Sequence, residues 1–179
     1  YLLPIELFSA RVDVVADTAY TDDNDENDPS GLMAYSLFNQ NVYIWDFTSK
    51  YLEFPELIEA IKDYITTLGD RRSRLKAEPK ASGKSIIQYL KKHTNFNASE
   101  HDMLDGNKIA KAYSIQPFIE SGRVILVEGS WNAEFLDTIA AFPKVSHDEA
   151  MDLLVMAVTE SFGLTKHFRR QVIRKFVTL

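Results

Sequence analysis

Three stretches of this chain place carboxylates at the ends of apolar segments. Asp17 closes the run Arg11-Val12-Asp13-Val14-Val15-Ala16, and Glu78 follows Leu75-Lys76-Ala77. Asp148, Glu149 and Asp152 open the last long apolar stretch, within His147-Asp148-Glu149-Ala150-Met151-Asp152. On a helix, Asp148 and Asp152 share one face, as do Glu149 and Asp152. Acids from two neighbouring strand ends and one helix start can converge on a point, an oxygen-lined site suited to hard divalent cations such as Mg²⁺ or Mn²⁺. Two such ions about 3.5–4 Å apart can drive phosphodiester hydrolysis, one activating water and the other offsetting charge on the departing 3′ oxygen. The chain has no cysteine, which excludes disulfides, thiolate zinc sites and cysteine nucleophiles. This chemistry requires none of them.

Each acid alone has a plainer reading. Asp17 and Glu78 (before Pro79) read as solvated loop acids, and Asp148 as a helix cap or dipole partner. His147 reads as structural or supporting, since four scattered histidines do not make a zinc site. Only the combination favours a metal site. A rival signal is Ala81-Ser82-Gly83-Lys84-Ser85, whose Gly-Lys-Ser matches the end of a phosphate-binding loop. That loop requires glycine where this chain has Glu78, and a carboxylate there repels a triphosphate, so the nucleotide-binding reading is rejected. Lys80 and Lys84 remain candidate contacts for DNA phosphates beside a helix start. Arg71, Arg72, Arg74 and Lys76 form a basic run before Glu78, a solvated turn or a backbone clamp. Lys108 and Lys111, about a helical turn apart, could face DNA too. Trp45 and Trp131 read as packing residues rather than base-stacking platforms.

The elements that must position these residues follow from periodicity. Arg11 to Ala16 reads as a strand, as do Leu32 to Phe38 and Val42 to Phe47, the last two joined by a tight hairpin at Asn39-Gln40-Asn41. A helix opens at Phe54-Pro55-Glu56 with apolar spacing at Leu57, Ile58, Ile61, Ile65 and Leu68. A short strand, Leu75 to Ala77, leads to Glu78 and a helix from Ser82 through Leu90. Asn107 to Ile119 reads as helical up to Pro117, Arg123 to Val127 as a strand, and Trp131 to Ala141 and His147 to Phe162 as helices. The expected fold is α/β: an antiparallel three-strand meander continued by parallel strands, with helices on both faces.

At 179 residues, with 45% hydrophobic and 26% charged residues, the chain is long enough for one domain with its own core. No apolar run is long enough to span a membrane. The net charge of −6 weighs weakly against a nucleic-acid partner, but the charges are unevenly placed. Asp22, Asp23, Asp25, Glu26 and Asp28 crowd one loop, with Asp23 and Asp28 able to lend an acid to the metals; the plain reading is a solvated loop. Lys166, Arg169, Arg170, Arg174 and Lys175 make the C-terminal segment basic. A metal-dependent nuclease must concentrate carboxylates, so local sign outweighs the sum. The opening Tyr1-Leu2-Leu3-Pro4 reads as the start of a fragment.

Several blocks together resemble the nuclease domain of terminase large subunits of tailed phages and prophages. They are Val14-Val15-Ala16-Asp17-Thr18-Ala19-Tyr20 with Asp28-Pro29-Ser30-Gly31, then Glu78-Pro79-Lys80-Ala81-Ser82-Gly83-Lys84-Ser85. Gly122-Arg123-Val124-Ile125-Leu126 with Trp131-Asn132 comes next, and Phe142-Pro143 with His147 to Asp152 is last. Each is weak singly; in this order, spanning residues 12 to about 160, they are specific. The resemblance implies a ribonuclease H-like fold over residues 1–163, a basic segment over 164–179, and an ATPase motor domain preceding Tyr1 in a longer protein. It implies two-metal cleavage of concatemeric double-stranded DNA in the host cytoplasm, with the small terminase subunit and the portal as partners. By the same resemblance Asp17 bridges both ions, Glu78 is the second acid, and the closing helix supplies the third. Asp148 is the first choice there because it begins the helix, with Asp152 and Glu149 close behind. Glu149 stands where the family has Asp. The competing function is a catalytically silent module that grips DNA or the portal.

Overall fold

The computed structural model describes residues 2–18, 29–67, 73–144 and 148–164. The acidic loop with Asp23 and Asp28, Arg71, Arg72, His147 and the basic residues beyond Leu164 lie outside them. A short 3-10 turn at Ile5–Ser9 precedes β1 (Asp13–Asp17), β2 (Ser30–Phe38) and β3 (Asn41–Lys50). Asn39 and Gln40 have φ of 47° and 62°, the positive-φ pair of a two-residue hairpin whose twist matches its strands. Next come α1 (Phe54–Thr67), β4 (Arg74–Ala77), α2 (Ala81–His93), β5 (Asn97–Glu100), α3 (Lys108–Glu120), β6 (Val124–Leu126), α4 (Asn132–Ala141) and α5 (Glu149–Phe162). Gly163, in the left-handed region at φ 62°, ends α5.

The strands form one sheet in the order β5-β4-β1-β2-β3-β6. β1, β2 and β3 are antiparallel neighbours; β4 runs parallel to β1, β5 to β4, and β6 to β3. This is the expected meander extended by parallel strands. Two differences stand out. β5 carries no β-branched or aromatic residue (Asn-Ala-Ser-Glu), so local sequence offers no strand signal, and its pairing with β4 creates it. α3 continues through Pro117 to Glu120, one turn beyond the expected break, where Phe118 stacks on Phe162 with centroids 4.3 Å apart.

Alternation along the strands divides the core between the two faces. Val14, Ala16, Leu32, Leu75 and Ala77 pack under α1 and α2 through Leu57, Ile61, Ile86 and Leu90. Val15, Met33, Tyr35 and Ile44 pack under the other helices through Ile115, Phe135, Leu153, Leu154 and Val158. α5 is buried along most of its length. Trp131 is buried against Phe135 in an edge-on pair, and Trp45 packs beside Phe8 and donates to Ser36 Oγ at 2.8 Å. Both are packing residues, as expected. Among the described residues no helix is long and apolar enough to cross a membrane.

Candidate active site

β1 and β4 lie side by side and parallel, with Ala16 opposite Ala77. Their next residues, Asp17 and Glu78, therefore leave the same end of the sheet together, and Glu78 N–H donates to Ala16 O at 3.1 Å. Asp17 is cross-strand from Gly31 of β2. A Cβ on Gly31 would lie 3.2 Å from Glu149 Cβ and 2.8 Å from Leu153 Cδ1. The missing side chain thus lets the start of α5 descend onto the sheet beside Asp17. Asp17, Glu78 and Glu149 are all buried, and Asp152, the next α5 acid, is partly buried.

The electrostatics show which acids influence one another. Burial, then a hydrogen bond and repulsion from Glu78, push the Asp17 carboxyl up to about 7, with Asp152 adding to the rise. Burial also raises Glu78, but its interactions with Asp17 and with the Lys80 ammonium outweigh it and hold that carboxyl below its ordinary value. Asp152 is raised, first by burial, with Asp148 and Glu78 contributing against the opposing pull of Lys108. Asp17, Glu78 and Asp152 thus form one interacting set. Asp148, the residue preceding α5, stands at its edge: its carbonyl accepts from Met151 and Asp152 N–H at 2.9 and 3.1 Å, and its carboxylate turns to Lys108. Asp152, one helical turn further on, is the α5 acid whose charge acts on Asp17 and Glu78.

Two lysines enter the cluster. Lys80 Nζ lies 2.5 Å from Glu78 Oε2 and 3.5 Å from Asp17 Oδ1. Lys108 Nζ lies 2.5 Å from Asp148 Oδ1 and 3.0 Å from Asp152 Oδ2. Lys111 lines a cavity of about 20 Å³ with Glu78, Asp152 and His101. Lys84 is exposed on the first turn of α2. Arg74 is elsewhere: at the opposite end of β4 it holds the buried Asp13 through Nη2 at 2.6 Å, Nε at 3.2 Å and its backbone N–H at 3.1 Å. The structure does not bring it to the acids.

The Gly-Lys-Ser run has a structural cause. A Cβ on Gly83 would collide with the carbonyl oxygen of Glu78, so glycine is what lets α2 start against the acid. Ser82 Oγ donates to Thr18 O at 2.5 Å, tying that start to the residue after Asp17. Sequence reasoning missed His101. Its N–H donates to Ala77 O at 2.8 Å, and its Nδ1 lies 2.8 Å from Glu160 Oε1. His101 follows β5, which the sequence does not announce, and Glu160 in the last turn of α5 looks like a surface acid. The only available signal was an unplaced histidine.

The donor chemistry fits a hard divalent cation, being made of carboxylate oxygens. Glu78 Oε2 is buried without a well-directed hydrogen bond, and its short approach to Lys80 is a charge contact. Among the described residues, however, no three or more aspartate, glutamate or histidine side chains are drawn together as a bound ion would require. In this arrangement each pair of acids is bridged by an ammonium.

The fold is similar to that of viral terminase nuclease domains of known structure. The terminase nuclease domain of human cytomegalovirus aligns with TM-score 0.63 and 15% identity over 83% of this chain and 82% of that one. Its manganese-soaked form aligns with TM-score 0.59 and 14% identity over 83% and 81%. The large terminase nuclease of thermophilic phage G20c gives TM-score 0.60 and 14% identity over 84% and 82%. The large terminase of bacteriophage D6E gives 0.61 and 12% over 84% of this chain and 40% of that one. No protein-family model and no curated protein matches the sequence.

Proposed function

We propose that the chain is a metal-dependent endonuclease of a viral DNA-packaging motor, cutting concatemeric double-stranded DNA. The observation that carries this reading is the meeting of Asp17 and Glu78 at one end of two parallel strands, with Asp152 of α5 lining the same small cavity as Glu78. The likeness in fold to terminase nucleases, one of them soaked with manganese, supports it. Asp17, Glu78, Asp152 and Glu149 would hold Mg²⁺ or Mn²⁺ as a two-ion set, with Asp148 acting at its rim through Lys108. The ions would supply Lewis acidity for water attack on the phosphodiester and for departure of the 3′ oxygen.

The chain's own residues do the rest. Burial of Asp17 and Glu78 keeps the carboxylates poorly hydrated, so they bind a cation more strongly than exposed acids would. The Ser82–Thr18 bond and the Gly83 contact fix α2, and with it the direction of Glu78. Lys80, Lys108 and Lys111 lie beside the acids, and with the exposed Lys84 they would contact backbone phosphates irrespective of base sequence. The partners this role implies are double-stranded DNA, an ATPase domain of the same protein, the small terminase subunit and the portal.

Plasmid cleavage by the purified chain with Mn²⁺, Mg²⁺ or EDTA, alongside Asp17→Ala, tests the reading. Metal-dependent nicking and linearisation that disappears in the variant is the expected result. A folded wild-type chain that binds DNA and cuts it with neither metal would instead be a docking module.

A further inference from the structure

We infer that Lys80 and Lys108 are internal counterions that hold the acidic site in a cation-excluding state and pass to DNA phosphates when metal ions load. This rests on the nuclease reading above. Each lysine bridges two of the acids: Lys80 contacts Asp17 and Glu78 at the ends of β1 and β4, and Lys108, from α3, contacts Asp148 and Asp152 at the start of α5. Together they offset half the charge of these four carboxylates.

Their positions in the chain make sense only through those acids. Lys80 is the residue capping the start of α2, Lys108 is the first residue of α3, and neither helix has an acid in its first turn. A helix start favours negative charge and is disfavoured by an ammonium. Neither lysine therefore stabilises its own helix; each is held there by the carboxylates it faces. Both side chains are about half exposed, at 55% and 51%, so an ammonium on its flexible stem can leave without repacking the core. Arg74 is the contrast: its planar group clasps Asp13 by several bonds at the far end of the sheet.

A divalent ion must displace these ammoniums to reach the same oxygens. The site's apparent affinity for the ion is then reduced by the fraction of molecules in which the lysines are docked. Once displaced, each ammonium stands at a helix N-terminus, where its charge and the free backbone N–H groups suit a phosphate. Metal and DNA then favour each other's binding.

The test is calorimetric titration of the DNA-free chain with Mn²⁺, for wild type, Lys80→Met with Lys108→Met, and Lys80→Arg with Lys108→Arg, all checked for folding by circular dichroism. The methionine variant is expected to bind Mn²⁺ about tenfold more tightly, with the arginine variant returning toward wild type because charge is restored. In a companion measurement, the anisotropy of a labelled duplex, Ca²⁺ strengthens DNA binding by wild type and not by the methionine variant. Equal or weaker Mn²⁺ binding by the methionine variant overturns the inference and leaves the nuclease reading intact. Failure of all three proteins to bind Mn²⁺ overturns both.

Discussion

The backbone of Gly83 rests against the carbonyl oxygen of Glu78 so closely that no side chain fits between them. This contact explains why a glycine precedes Lys84-Ser85. It also couples the start of α2 to the direction of an acid in the candidate active site. Gly83→Ala must push α2 outward or rotate Glu78. The expected result is a loss of about 1–3 kcal/mol in urea unfolding. Because a shift of about 1 Å at a reacting group can cost about a hundredfold in rate, plasmid cleavage should fall further than stability alone explains. Wild-type cleavage by a stable Gly83→Ala protein would show that Glu78 is not tied to α2.

Asp17 imposes a stability cost that changes with pH. Its carboxyl is pushed from 3.8 to about 7, chiefly by burial and next by Glu78. The folded state therefore binds a proton that the unfolded chain releases at lower pH. For a raised carboxyl, the stabilising contribution is full below about 4 and is lost as pH rises through about 7. In EDTA, Asp17→Asn should raise the melting temperature at pH 8 and have little effect at pH 4, while abolishing cleavage. Melting curves across that range check both signs. A destabilised Asp17→Asn protein at pH 8 would mean that the carboxylate is well compensated in the fold.

Asp17 and Glu78 were visible in the sequence because each ends a short β-rich run, where an acid leaves the sheet toward solvent or a site. What made them neighbours, the pairing of Ala16 with Ala77, is a long-range register that no local pattern encodes. The same holds for Lys108, which meets Asp148 and Asp152 across α3 and α5; spacing within its own helix suggested only that it and Lys111 share a face turned to DNA. The meander was legible from alternation and the Asn39-Gln40 turn. β5, and with it the place of His101, was not, because its residues carry no strand preference and take their conformation from β4.

Arg74 separates a structural cation from a DNA-binding one. It lies at the start of β4 and clasps the buried carboxylate of Asp13, which Arg11 also contacts at 2.9 Å. Removing one partner leaves a buried charge less well compensated, at a cost of about 1–3 kcal/mol, toward the lower end here because Arg11 remains and Arg74 is partly exposed. Arg74→Ala should lower the urea midpoint while leaving the salt dependence of duplex binding unchanged. Lys111→Ala, beside Glu78 and Asp152, should leave the urea midpoint nearly unchanged and make duplex binding less sensitive to salt. A reduced salt slope in Arg74→Ala would return that residue to the DNA surface.

The acids of α5 differ in role according to where the helix meets the sheet. Gly31, opposite Asp17, admits α5 at Glu149 and Leu153, which brings the turn containing Asp152 over the strand ends. Asp152 is felt by Asp17, and Glu78 is felt by Asp152. Asp148 begins the helix and spends its carboxylate on Lys108 at the rim. Asp152→Asn should therefore resemble Asp17→Asn, with cleavage lost and Mn²⁺ binding strongly weakened. Asp148→Asn removes a group that acts through Lys108, so it should reduce cleavage by about tenfold, the lower end of the range for residues outside the direct ligand set. Cleavage rates measured across a range of Mn²⁺ concentrations distinguish the two, because a lost ligand shifts the metal requirement and a lost supporting charge mainly lowers the plateau. If Asp148→Asn is the more damaging, the helix start rather than its second turn faces the metal, and α5 must rotate when ions bind.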